Sequence, residues 1–299
     1  MNKEVPILEH RVGSDQPRER IDRYLFRVSR MLPSRAQARK SIRRGEVLLN
    51  GEAVESSRFV CAGDCIQILS SRRTPPRVYE REIPVVAEDD WMAVVEKPPG
   101  LPTNGNKHRT VEHALPFNLS SSPLPDALPW PRPVHRLDVR TGGLLLVAKA
   151  AGAHADLGRQ FEERLVKKRY RALCVGRVEG EGTIQLPIEG RAATTRFQVV
   201  SHTRALRSDW ISTVDLWPLS GRTHQLRLHM ASRGTPILGD DLYGIEGMIL
   251  RGKGLYLKAQ EIGFRHPGTQ AEAHFFLPAP RRFATFCDRE ARRWERYRS

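Results

Sequence analysis

Hydrophobic residues near the start of the chain recur at helical spacing. Ile21, Leu25, Val28 and Leu32 in RIDRYLFRVSRML lie three or four apart, which predicts an amphipathic helix ended by Pro33. Ser34, with Gln37 three residues on, predicts a capping box that opens a second helix, RAQARKSIRR, closed by Gly45 as a left-handed cap. EVLLNGEAV then reads as two short strands around Asn50-Gly51, a strong hairpin signal. Beyond residue 84 the pattern changes. WMAVVEKP, LLLVA, RYRALCV and TTRFQVVS read as strands, with one helix in GAHADLGRQFEERLVKK. Strands separated by only one or two helices predict an α+β domain with a mixed, largely antiparallel sheet, not a doubly wound one.

The expected organisation is therefore a small two-helix-plus-hairpin domain over residues 18–72 and a basic, proline-bearing linker over 73–83. A larger α+β domain follows over 84–280, with a basic C-terminal tail or terminal helix over 281–299. Residues 116–133 hold six prolines and read as an irregular surface loop.

Charge sharpens this picture. Forty-nine Lys and Arg against 34 Asp and Glu give a net charge of +15, which points to a polyanionic partner. An enzyme of small metabolites has no need of that excess. Residues 18–44 concentrate it, with ten basic residues against two acidic ones. Arg35, Arg39, Lys40, Arg43 and Arg44 fall on one broad side of the second helix, where no acid at matching positions balances them. They are candidate RNA contacts. Four cysteines make no disulfide framework, and Cys61 and Cys65 lack the second pair that a zinc site needs. Residues 1–20 contain no apolar signal core, and no run approaches about 18 apolar residues. A soluble, cytoplasmic protein without membrane contact is expected.

Three segments carry candidate chemistry. In PVHRLDVRTGGLLLVAK, Asp138 sits between two arginines on the loop leading into an apolar strand, a place where rigid scaffolds present reactive groups. By itself HRLD also fits a turn carboxylate paired with Arg136 or Arg140. GRTHQLRLHMASRG suits a helix of three turns that gathers Arg222, His224, Arg227 and His229. His224 and His229 are five apart, about 140° around a helix, so the zinc spacing of i and i+4 is absent. KKRYRALCVG brings Tyr170 into a strand. The sequence has neither a phosphate loop nor a dinucleotide glycine fingerprint, and neither a metal nor another cofactor is expected.

Together these segments resemble the RluA family of pseudouridine synthases. HRLDVRTGG is similar to the family's catalytic signature, KKRYRALCVG to its tyrosine motif and GRTHQLRLH to its arginine motif. EKPPGL and TPILGDDLYG match two further family segments, so the resemblance spans residues 84–280. Residues 18–70 resemble the RNA-binding module of the fourth small-subunit ribosomal protein. The resemblance implies a pseudouridine synthase domain preceded by an RNA-binding domain, isomerising uridines in RNA without a cofactor. It implies Asp138 as the reacting carboxylate, Arg227 as its partner and Tyr170 as the face that holds the base. Arg136 would fill the vacated stack, with Thr141, Arg222 and His224 as further substrate contacts. The expected RNA is large-subunit ribosomal RNA, or in second place transfer RNA, acted on by a monomer. A binding-only translation factor would need none of the three catalytic groups. A base-excising glycosylase would need a second, water-activating group, and no second acidic group accompanies the three motifs. Two departures stand out: Gly142 replaces the family's usual serine, and Lys258 its usual histidine.

Overall fold

The computed structural model describes residues 6–29, 32, 34–69, 77–105, 107–248 and 252–298. Pro33 and residues 73–76 of the expected linker lie outside the described residues. The N-terminal part comprises β1 (Pro6–Arg11), β2 (Glu19–Arg20), α1 (Ile21–Val28), α2 (Arg35–Arg43), β3 (Val47–Leu49), β4 (Glu52–Ala53), β5 (Phe59–Val60) and β6 (Cys65–Leu69). Ile21, Leu25, Ala38, Ile42, Val47 and Ile66 are buried in its own core. The Ser34 hydroxyl accepts the Gln37 amide at 3.1 Å, as a capping residue should. Asn50 and Gly51 both take positive φ, the backbone of a tight hairpin turn.

Two features differ from the pattern. The first helix stops at Ser29, a turn early, yet Leu32 still reaches the same core. Hydrophobic spacing records burial, and Leu32 is buried from outside the helix. Secondly, β1 precedes residue 18 and pairs antiparallel with β6, giving a sheet of order β1-β6-β3-β4.

The larger part comprises β7 (Val85–Glu88), β8 (Met92–Lys97), α3 (Val111–Asn118), β9 (Ala127–Pro133), β10 (Gly142–Ala150), α4 (Ala151–Glu162) and β11 (Lys167–Val175). It continues through β12 (Glu181–Gln185), β13 (Thr194–Ala205), β14 (Asp209–Pro218), α5 (Gln225–Ser232), β15 (Leu257–Arg265), β16 (Glu272–Phe276) and α6 (Arg281–Tyr297). Ten strands form one sheet of order β12-β13-β14-β11-β15-β10-β8-β7, with β9 added on β10 and β16 on β15. Among the described residues its only parallel pair is β10 with β15, so the sheet is mixed and largely antiparallel.

All nine residues of β10 are buried, which is why it reads as one apolar run. Its start is tightly constrained. Gly143 has φ 121°, and a Cβ there would collide with the Ala259 backbone on β15. The sheet thus holds the loop before β10 close to its neighbours.

The structure corrects two expectations and decides a third. Part of the proline-rich segment is strand β9, paired with β10, an added strand of the kind on which proline is tolerated. Of the two readings of the C-terminal segment, tail or helix, the helix holds: it has 17 residues, and its Phe283 and Phe286 are buried against Tyr256. Helix α5 has eight residues, not three turns, and starts after His224, whose φ is 55°.

Candidate active site

The loop of residues 134–141 delivers Asp138, and its backbone is bonded from below. Lys97, at the end of β8, is completely buried. Its ammonium donates to the carbonyls of Pro98 (3.0 Å), Val139 (3.2 Å) and Thr141 (2.9 Å). The Gly100 amide also donates to Val139 O, at 2.7 Å, and the Thr103 hydroxyl bonds both the carbonyl and the amide of Leu137. These contacts fix the backbone on either side of Asp138.

Asp138 is partly exposed in a cavity of about 900 Å³ that Tyr170, Arg136, Thr141 and Arg222 also line. The cavity wall carries six Lys or Arg against three Asp or Glu, a surface suited to a polyanion. The charge of Asp138 acts on Lys97, Tyr170 and Arg227, so these residues, far apart in sequence, converge on one carboxylate. Burial lowers the Lys97 pKa to about 8, with Asp138 opposing the shift. Burial, and then Asp138, push the Tyr170 phenol well above its ordinary range, so its hydroxyl stays neutral. Burial and the charge of Lys168 push His135 down to about 3. That imidazole is neutral, accepts the Leu146 amide at 3.0 Å and stacks on Phe161, so it is a structural group.

Arg227 does not make the direct pair with Asp138 that was expected. Its guanidinium forms a bidentate pair with buried Asp240, both bonds at 2.7 Å, and lies over the Tyr243 ring. Burial opposes its charge, but Asp240 outweighs this and raises its pKa. Asp240 also accepts the amides of Leu242 and Tyr243, which help hold its carboxyl below the usual range despite burial. Arg227 therefore reaches Asp138 through space, from a fixed seat. His224 is one step further out and bonds the Tyr243 hydroxyl at 2.9 Å. Arg140 pairs with Asp241. The Thr141 hydroxyl is buried at the cavity wall without a hydrogen-bond partner among the described residues, and Arg136 is exposed.

Sequence reasoning assigned no role to Lys97 or Asp240. A lysine closing the buried strand MAVVEK, and a carboxylate in the turn GDD, were the available signals. It also expected no second acid beside Asp138, whereas Glu162 and Glu261 line the cavity too. Glu261 is bound to Arg169 and His274. Among the described residues no group of three or more His, Cys, Asp or Glu is placed to hold a metal ion.

On the N-terminal module, Arg35, Arg39, Lys40, Arg43 and Arg44 are all exposed. The expectation that no acid balances them fails for three, since Arg44 lies 3.8 Å from Glu46. Fully buried Asp22 receives Arg39 at 2.6 Å and Arg35 at 3.1 Å.

Residues 91–232 match the RNA pseudouridylate synthase family, and residues 19–66 match the S4 domain. An uncharacterised RNA pseudouridine synthase of Aquifex aeolicus is 32% identical over 305 residues, covering 93% of this chain and 95% of its own. The chain belongs to the RNA pseudouridine synthase family. The ribosomal large subunit pseudouridine synthase D of Nitrosomonas europaea is 35% identical, covering 73% of this chain and 67% of its own. Human RNA Pseudouridylate Synthase Domain Containing 1, a solved structure, superposes with a TM-score of 0.55 at 25% identity, covering 70% of this chain and 96% of that one.

The two departures of this synthase meet in space, because Gly142 and Lys258 are partners in the parallel β10–β15 pair. A Cβ at Gly142 would lie 3.1 Å from Pro99 Cδ and 3.2 Å from Lys97 O, so this loop packs more closely than a serine permits without adjustment. Lys258 pairs with Glu96 at 2.6 Å.

Lys97 should give the synthase an alkaline limb. Above pH 8 its amine keeps two N–H groups for three carbonyls, and Asp138 loses a nearby positive charge. The rate of isomerisation should fall through one ionisation near pH 8. Stability should move oppositely. An unfolded lysine titrates at about 10.4, so between the two values the unfolded chain holds more protons and stability rises with pH. Rate profiles and urea melts of wild type and Lys97→Met check both signs. An alkaline limb unchanged in the variant would remove Lys97 from this role.

Proposed function

We propose that this enzyme isomerises specific uridines of large-subunit ribosomal RNA, as a cytoplasmic monomer, with Asp138 as the reacting group. The observation that carries this reading is the convergence on Asp138 of Lys97, Tyr170 and Arg227 beside a cationic cavity. The relative from Nitrosomonas europaea, whose name specifies the large ribosomal subunit, supports the choice of RNA.

In this reading the target uridine leaves its stack and enters the cavity, and Arg136 fills the gap. The Asp138 carboxylate attacks ribose C1′ while the N1–C1′ bond breaks, leaving a ribosyl ester and a uracil anion. Tyr170 holds the detached ring by its face. The ring turns, C5 attacks C1′ and displaces Asp138, the C5 hydrogen passes to solvent and N1 takes up a proton. No atom is lost overall. Arg227 and Lys97 supply positive potential toward Asp138 from fixed positions, and Arg222, Thr141 and His224 bound the nucleotide's surroundings. Water must stay out while uracil is free, since it would otherwise capture C1′.

Residues 18–72 act as the RNA anchor through Arg35, Arg39, Lys40, Arg43 and Arg44, and residues 84–280 carry the chemistry. Deleting residues 1–72 should weaken RNA binding and flatten its dependence on salt, by a slope of about 0.7–0.9 for each phosphate that is no longer neutralised. The rate at saturating RNA should change little. Filter binding over a salt series checks this, and an unchanged slope would remove the module from RNA contact. Pseudouridine mapping of ribosomal and transfer RNA from cells with and without the gene tests the substrate. Loss of a site in transfer RNA alone would overturn the ribosomal reading.

A further inference from the structure

Arg196 on β13 and Trp217 on β14 are register partners. The guanidinium carbon of Arg196 lies 4.3 Å from the centre of the Trp217 ring, and Arg196 is exposed above it. Leu219, 51% exposed, follows two residues later. All three line the cavity that contains Asp138 and Tyr170. At about 900 Å³ that cavity lies at the upper end of the range for small-ligand sites, more space than one uracil needs.

Arg196 differs from the arginines of β11, the strand on the other side of β14. Arg169 and Arg171 are neutralised, both by Asp215 and the first also by Glu261. Among the described residues Arg196 has no carboxylate partner, and its contact is the indole alone. A planar cation held over an aromatic ring has already lost much of its rotamer freedom, so it offers a prepared face at low entropic cost. Guanidinium planes and aromatic rings are the surfaces on which proteins stack unpaired RNA bases.

We propose that Arg196, supported by Trp217 and flanked by Leu219, is a second stacking platform that takes an unpaired base next to the target uridine. The enzyme then selects not only a uridine but a uridine with an unstacked neighbour. This rests on the function proposed above and adds a determinant of substrate choice to it.

The test uses the full-length enzyme and a hairpin RNA with the target uridine in its single-stranded loop. The RNA is made intact and with the base of each neighbouring nucleotide removed in turn. Affinity is read by filter binding, so the platform is judged even where no product forms. Removing one neighbouring base should weaken wild-type binding about tenfold, the scale of one stacked base. Trp217→Ala and Arg196→Lys should each bind the intact hairpin about tenfold less tightly and then lose little more with the abasic RNA. Arg196→Lys keeps the charge and lies on the surface, so it carries the test even where Trp217→Ala folds poorly. On a hairpin that is a substrate, KM should rise while kcat stays nearly constant. The platform is overturned if wild type ignores both abasic changes, or if the variants suffer the abasic penalty in full. A wild-type enzyme that isomerises no uridine in any RNA would contradict the proposed function instead.

Discussion

Replacing Asp138 by asparagine is expected to lower the single-turnover rate of isomerisation by at least about 10⁴-fold, the scale seen when a nucleophile is removed. Asparagine has the same shape but no anionic oxygen to bond ribose C1′. The loop should not move, because its bonds run through backbone atoms. Lys97 holds the Val139 and Thr141 carbonyls, Gly100 holds Val139 and Thr103 holds Leu137. Melting temperature and RNA affinity should therefore stay close to wild type, which separates lost chemistry from lost structure. Product at even one-hundredth of the wild-type rate would assign the reacting group elsewhere.

The second large effect concerns the seat of Arg227. Its Asp240 partner is completely buried, so Arg227→Met leaves a carboxylate without its counter-charge. Breaking a buried pair in this way costs about 3–5 kcal/mol, a large part of a domain's stability. Asp240→Leu should cost a similar amount by stranding the guanidinium. The double variant Arg227→Met/Asp240→Leu should recover only part of that stability: two apolar groups of similar size replace the pair, but the Leu242 and Tyr243 amides lose their acceptor. It should not recover isomerisation, because positive potential toward Asp138 has been removed. Urea melts and rate measurements on the three variants check this. A double variant with near wild-type activity would reduce Arg227 to a structural residue.

Much of the fold is legible because local signals agree with the final packing. Ser34 caps its helix, Asn50-Gly51 turns its hairpin, and the apolar run after Gly143 is a strand buried along its whole length. Among the strands that the pattern did not name, β1 and β9 show why. One is short and half polar, the other is rich in proline, and both owe their form to pairing with distant strands. Helix α6 is so rich in arginine that its two buried phenylalanines do not stand out.

The site divides in the same way. Asp138, Tyr170 and Arg227 were accessible as residues within motifs, but their partners were not. Asp240 lies 13 residues from Arg227, and the carbonyls of Val139 and Thr141 lie 42 and 44 residues from Lys97. Asp22 reaches Arg35 and Arg39 from another helix. Spacing within a helix or strand predicts neighbours a few residues away. It does not reach across a tertiary contact, so the basic face of α2 looked unbalanced and Arg227 looked free to bind Asp138.

The most direct measurement follows tritium at C5 of uridine in a substrate RNA, together with the nucleosides and free base recovered after digestion. Wild-type enzyme should release C5 tritium to water in step with the appearance of pseudouridine, produce no free uracil and leave RNA chain length unchanged. Asp138→Asn should bind the same RNA and release none. Free uracil from wild type would mean that water reaches C1′ and the enzyme is a glycosylase. Tritium release by Asp138→Asn at the wild-type rate would contradict the central claim that Asp138 is the group on which the isomerisation turns.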